Sequence, residues 1–184
     1  PVVFTDRPGD ENADFVGVDN KRETENLIEA FSVKPKRLVA LVPSPADIST
    51  IQDRIEGTKT ACEKNKIEFD YIDLSQDQKD IDEVIAQEIK KGTDSFVALN
   101  NKCTLPAISA LNKAGVAIPK DVRFISFDDS DSFEYMSPPI SALRQPIQEI
   151  ALQSVDRLYS RIKDKKNPGE HFILPCEFQV RGSH

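Results

Sequence analysis

With 184 residues and a 39% share of hydrophobic side chains, the chain has apolar mass for one good core or two small ones, which excludes a disordered segment. Its 24 Lys and Arg stand against 31 Asp and Glu, a formal charge of -7, and this excludes a broad basic face able to neutralise nucleic-acid phosphates. No apolar stretch reaches membrane length, and no signal-peptide pattern appears.

The chain opens on "PVVFTD", which reads as the interior of a strand, so the natural N-terminus is expected to lie upstream. From about residue 20, helix-period and strand-period segments alternate, the signature of βαβ units. Residues 21–33 place Thr24, Leu27, Ile28 and Phe31 on one helical face, and "RLVALVPS" (37–44) follows as a short apolar strand. The spacing predicts a helix over 50–64, opened by a capping box from Thr50 to Asp53, with Ile51, Ile55, Thr58 and Cys62 facing inward.

A strand at "IEFDYIDL" (67–74) comes next, then a helix carrying Ile81, Val84, Ile85 and Ile89, then a strand at "SFVALN" (95–100). A helix over about 103–114 tolerates Pro106 in its first turn, and Gly115 and Pro119 end it. "VRFISF" (122–127) is the following strand and runs into Asp128, Asp129 and Asp131. Beyond the Pro138-Pro139 pair, residues 146–162 carry Ile147, Ile150, Ala151, Val155, Leu158 and Ile162 at helical spacing, ahead of a last strand in "HFILPCEFQV".

In a parallel sheet covered by helices, ligands bind beyond the carboxyl ends of the strands. Asp6 follows "VVFT", the segment after "LVALVPS" leads to Thr50 and Arg54, Asn100 follows "FVAL", and Asp128 follows "FISF". Carboxylates that only accept, a guanidinium that only donates and an amide that does both suit a polyhydroxylated ligand. Each residue alone also admits a plainer role. Asp128 and Asp129 would solvate a loop or cap a turn, Asn100 would cap a helix, and Arg54 would be a surface neighbour of Thr58. Their shared position at strand ends favours binding for the set.

"DDSD" has the oxygen density of a Mg²⁺ site, but no phosphate cradle accompanies it, so no metal and no cofactor are expected. Only His171 and His184 supply imidazole, one near a loop and one at the terminus, which leaves nucleophilic catalysis without a base and argues against an enzyme. Cys62, Cys103 and Cys176 have neither metal spacing nor an even disulfide set and read as reduced, partly buried thiols.

The stretch from Gly115, Pro119, Asp121 and Val122 through Phe127-Asp128-Asp129, Pro138-Pro139 and Arg144-Gln145-Pro146 resembles the C-terminal half of LacI/GalR-family transcriptional repressors. Leu174-Pro175 and Val180-Arg181-Gly182-Ser183 extend the likeness to the end of the chain, and "PVVFTDR" and "FVGVDN" extend it upstream. The resemblance implies an α/β, parallel-sheet, periplasmic-binding-protein-like fold, its C-terminal lobe complete and its N-terminal lobe partial. Residues 1–19 and 145–170 would be the remnant of the N-terminal lobe; 20–144 and 171–184 would form the C-terminal effector-binding lobe.

By the same resemblance Arg54 is the effector-contacting arginine, Asn100 the asparagine after the strand, Asp128 the cleft aspartate and Asp6 the acidic residue from the other lobe. The implied partner is a small effector (a sugar, sugar derivative or nucleobase) in a homodimeric cytoplasmic regulator. Operator DNA would be met only through a helix-turn-helix that these residues lack, and no membrane is involved. An exported sugar-binding protein of a transporter shares the fold and is the alternative. "NNKCTLPAISA" and the glycine-free "VPSPADIST" depart from the family pattern, so effector identity does not transfer. A partial lobe predicts exposed apolar surface on Val2, Phe4, Ile150 and Leu158.

Overall fold

The structure, a computed structural model, describes residues 1–10, 12–43, 46–74, 80–163 and 169–184. It divides into two compact units, Pro1–Asp19 with Gln145–Glu177 and Asn20–Arg144 with Phe178–His184.

In the larger unit, β3 (Arg37–Val42), β4 (Glu68–Asp73), β5 (Ser95–Ala98), β6 (Arg123–Phe127), β7 (Ser141–Arg144) and β9 (Glu177–Gln179) form one sheet in the order β4-β3-β5-β6-β7-β9. The pairings of β3 with β4 and β5, of β5 with β6 and of β6 with β7 are all parallel. Four helices serve this sheet: α1 (Asn20–Glu29), α2 (Ser49–Asn65), α3 (Ile81–Lys90) and α4 (Asn101–Lys113).

The central strands are apolar at nearly every position because helices cover both faces. Val39, Leu41, Phe96, Ala98 and Phe124 join Ile85 of α3 and Cys103, Ala107 and Leu111 of α4 in one buried cluster. By the pleat, the intervening Leu38, Ala40, Val97, Ile125 and Phe127, all buried, face the other side, where α1 and α2 bury Leu27, Ile28 and Ile51. Those two helices approach closely at Gly57, where an added Cβ would lie 2.3 Å from the Lys21 carbonyl oxygen.

The connection β3-α2-β4 leaves the sheet centre in one direction, whereas β4-α3-β5 crosses back to the far side of β3. The strand order therefore reverses between β3 and β5. In open parallel sheets such a reversal is where ligands bind, beyond the carboxyl ends of the strands.

The smaller unit holds β1 (Val3–Thr5), β2 (Asp14–Gly17) and β8 (His171–Ile173) in a parallel sheet of order β1-β2-β8, with α5 (Ile147–Lys163) against β1 and β2. Residues 171–177, expected in the larger lobe, fall in this unit because β8 takes its hydrogen bonds from β2, with Phe15 opposite His171. Asp14 is the fixed charge at its centre. Fully buried, it meets Arg157 at 3.0 Å and Arg161 at 3.2 Å and accepts the Glu170 N–H, contacts that outweigh burial and hold its carboxyl below the ordinary value. Val2 and Leu158 are exposed as anticipated, but Phe4 and Ile150 are half-buried; the backbone at Gly9 lies against the Phe4 ring.

Candidate functional site

Arg54 sits in the second turn of α2, and its side chain is only 4% exposed. A buried guanidinium is costly unless its donors are satisfied. Here Nε donates to Asn20 Oδ1 at 2.8 Å, and Nη1 donates to the Leu99 carbonyl at 2.8 Å and to Asp128 Oδ2 at 3.2 Å. The guanidinium carbon lies 3.7 Å from the centre of the Phe127 ring, so the cation also rests on an aromatic face. The plainer reading of Arg54 as a surface residue therefore does not hold.

Asn100 performs both roles that its position allows. Its Oδ1 accepts from the Lys102 backbone N–H at 2.8 Å and caps α4, while its Nδ2 donates to Asp128 Oδ2 at 3.3 Å. Helix α4 accordingly starts at Asn101, two residues earlier than the sequence suggested, and Pro106 falls in the second turn at an exposed position. There the missing proline N–H leaves the Lys102 carbonyl without its helical partner.

Asp128 ends β6 in the left-handed conformation, φ 71°, which a residue with a side chain adopts at a cost of about 1 kcal/mol or more. The turn is held from below by the buried Ser126, whose Oγ lies 2.7 Å from Thr104 Oγ1 and donates to the Asp128 carbonyl at 3.2 Å. It brings one carboxylate against both Arg54 and Asn100, and the Asp128 side chain stays 19% exposed. Three strand ends thus deliver Arg54, Asn100 and Asp128 to one place, at the reversal of strand order.

Thr50 belongs elsewhere in this picture. Helix α2 begins at Ser49, its N-cap is Ile48 without a side-chain cap bond, and Thr50 is buried in the first turn, so the capping box is not formed. It shares a helix face with Arg54 one turn on but takes no part in the hydrogen-bonded set. Asp6 follows β1 in the smaller unit, also left-handed at φ 64°, with an exposed side chain 3.7 Å from Arg7.

Two residues carry more than their sequence context indicated. Asn20, the first residue of α1, is what orients Arg54. Asp129 is not a loop solvator: its side chain is 3% exposed and takes Arg144 Nη2 at 2.6 Å and Arg181 Nη1 at 2.7 Å. Burial pushes its pKa up, but the hydrogen bonds from Arg181 and Arg144 prevail and hold the carboxyl below its ordinary value. Both arginines belong to the motifs "RQP" and "VRGS", which carried the family resemblance but were not read as partners of Asp129. The second motif is fastened again by the fully buried Ser183, whose Oγ donates to the Phe124 carbonyl at 2.6 Å and accepts from the Ser141 N–H at 2.8 Å.

Among the described residues no helix is long and apolar enough to cross a membrane, and no group of three His, Cys, Asp or Glu side chains is placed to hold a metal ion. Burial raises the thiols of Cys62 and Cys103 to about 12, so both stay protonated.

The model of the periplasmic binding protein-like domain matches residues 33–184. The chain is 26% identical over 195 residues to the HTH-type transcriptional repressor PurR of Aliivibrio fischeri strain MJ11, covering all of this chain and 57% of that protein. It is 29% identical over 179 residues to a probable opine utilization operon repressor of Rhizobium rhizogenes, covering 90% of each. A LacI family transcriptional regulator from Enterococcus faecium, solved with bound ribose, superposes with a TM-score of 0.85 at 23% identity, over all of this chain and 70% of that one. The chain therefore spans little more than half the length of the PurR relative. With a matching domain model over most of its length and LacI-type repressors among its relatives, the chain belongs to the periplasmic binding protein-like domain family, in the form carried by LacI-family transcriptional regulators.

Proposed function

We propose that this chain is the effector-binding part of a cytoplasmic LacI-type transcriptional regulator that holds a small sugar-like molecule and has no enzymatic activity. The observation that carries the reading is the convergence of Arg54 and Asn100 on Asp128 at the strand ends, each within hydrogen-bond distance of its carboxylate. Such a set binds and orients hydroxyls and supplies neither nucleophile nor base. The residue at φ 71° supports it as well, because strain kept at a strand end calls for a function that repays it.

In this reading the two units are lobes, and the effector is held at the strand ends of the larger one by Arg54, Asn100 and Asp128. Occupancy favours one lobe arrangement, and the preference passes to DNA-binding headpieces of a homodimer, a population shift with reciprocal coupling. Repressors among the relatives speak for this over an exported transport protein. The test is isothermal titration of the purified protein with a panel of pentoses, hexoses, disaccharides and nucleobases, alongside Asp128→Ala. A saturable heat lost in that variant supports the site; the same affinity in both removes Asp128 from it.

A further inference from the structure

Asp128 takes the left-handed conformation at φ 71°, and its carboxylate is where Arg54 and Asn100 meet. Two peptide planes set that conformation. The one before the residue carries the Phe127 carbonyl, and the one after it carries the Asp128 carbonyl. A single hydroxyl reaches both: Ser126 Oγ lies 3.0 Å from the Phe127 carbonyl oxygen and 3.2 Å from that of Asp128.

A hydroxyl has one proton to give, and carbonyl oxygens only accept. Ser126 therefore directs its proton at this carbonyl pair, and Thr104 Oγ1, 2.7 Å away, supplies the proton between the two side chains. Both residues are fully buried. An alanine would serve the sheet equally well at position 126, and a buried hydroxyl costs free energy unless it is bonded. Thr104 lies on α4 one turn after Asn100, so the helix that holds the Asp128 carboxylate through its N-cap also holds the Asp128 main chain through a second residue.

We propose that the Thr104–Ser126 hydroxyl pair positions Asp128 for its ligand by locking the two peptide planes around it, which fixes the direction in which the carboxylate meets a ligand hydroxyl. The inference rests on the effector-site reading above and adds to it two positioning residues that act through Asp128. Without the pair the left-handed turn relaxes, and the carboxylate leaves the place where Arg54 and Asn100 meet it.

The test is calorimetric titration of the full-length protein with ribose, glucose, galactose and cellobiose, with thermal unfolding measured alongside. The variants are Ser126→Ala, the double variant Ser126→Ala with Thr104→Val, and Thr104→Ser. Ser126→Ala leaves the Thr104 hydroxyl buried without its partner and should lower the melting temperature by at least about 3 °C; removing both hydroxyls clears that defect and should restore it to within about 1 °C. Affinity should not follow. It is expected to be at least about tenfold weaker in both of these variants, whereas Thr104→Ser, which keeps the hydroxyl, binds as wild type does.

An affinity that follows the melting temperature across the variants, lost with it or restored with it, marks the hydroxyls as structural only; it overturns the inference and leaves the effector site standing. Wild-type affinity in the double variant does the same. A wild-type protein that binds none of the four sugars removes the effector-site reading, and the inference with it.

Discussion

Asn20 Oδ1 accepts from Arg54 Nε at 2.8 Å, which ties the first residue of α1 to the guanidinium of α2 across a buried interface. Asn20 also begins the larger unit, directly after Asp19 closes the first segment of the smaller one. The residue that aims Arg54 therefore stands where the chain passes from one unit to the other.

Replacing Asn20 by Ala frees Nε inside the protein and lets the guanidinium turn away from Asp128. Hydrogen bonds to charged groups are worth about 1.5–3 kcal/mol, so ligand affinity is expected to fall at least about tenfold. Titration of Asn20→Ala and Asn20→Asp side by side checks this, since the carboxylate of the second variant keeps the contact and should keep most of the affinity. Equal affinities in wild type and Asn20→Ala would show that Arg54 is oriented without it.

Asp129→Asn should cost about 3 kcal/mol of stability at pH 7, because Arg144 and Arg181 lose a charge that burial and two hydrogen-bonded arginines had fixed. The wild-type carboxyl has a folded-state pKa below its ordinary 3.8, so its contribution is full above that value and is lost as the pH falls through the folded-state value. Urea titrations from pH 7 down to pH 3 should therefore show a shallower acid loss in the variant. Parallel curves for the two proteins would count against the clamp.

Gly57→Ala places a methyl group 2.3 Å from the Lys21 carbonyl oxygen, inside any permitted contact. Helices α1 and α2 must separate, at about 1–3 kcal/mol. Since Asn20 and Arg54 lie on those two helices, affinity should fall together with the melting temperature. A variant as stable as wild type would mean that the helices are not packed as described.

A thiol reagent under native conditions should modify Cys176, which is partly exposed, and leave Cys62 and Cys103 until the protein unfolds. Burial holds both of those thiols near 12, so at neutral pH neither offers thiolate. Counting modified cysteines by mass spectrometry before and after denaturation decides it; fast labelling of all three would contradict their burial.

The alternation of apolar strands and amphipathic helices was legible in the sequence because burial on both faces of a parallel sheet leaves runs such as "RLVALV" and "RFISF" with little choice of residue. Boundaries were less legible. The α2 start moved to Ser49 and α4 reached back to Asn101, since caps are settled by which groups happen to be within reach, not by composition. Residue 44, the last of the expected strand 37–44, lies outside the described residues.

By itself the sequence determined which residues end the strands, and so proposed Arg54, Asn100 and Asp128 as a set. Only the tertiary structure decided what each still has to give. The partners of Arg54 are Asn20, the Leu99 carbonyl and Asp128, which lie 34, 45 and 74 positions away along the chain. Hydrogen-bonding capacity is finite and is consumed in space, so the donors left for a ligand follow from the folded neighbours and not from the motif.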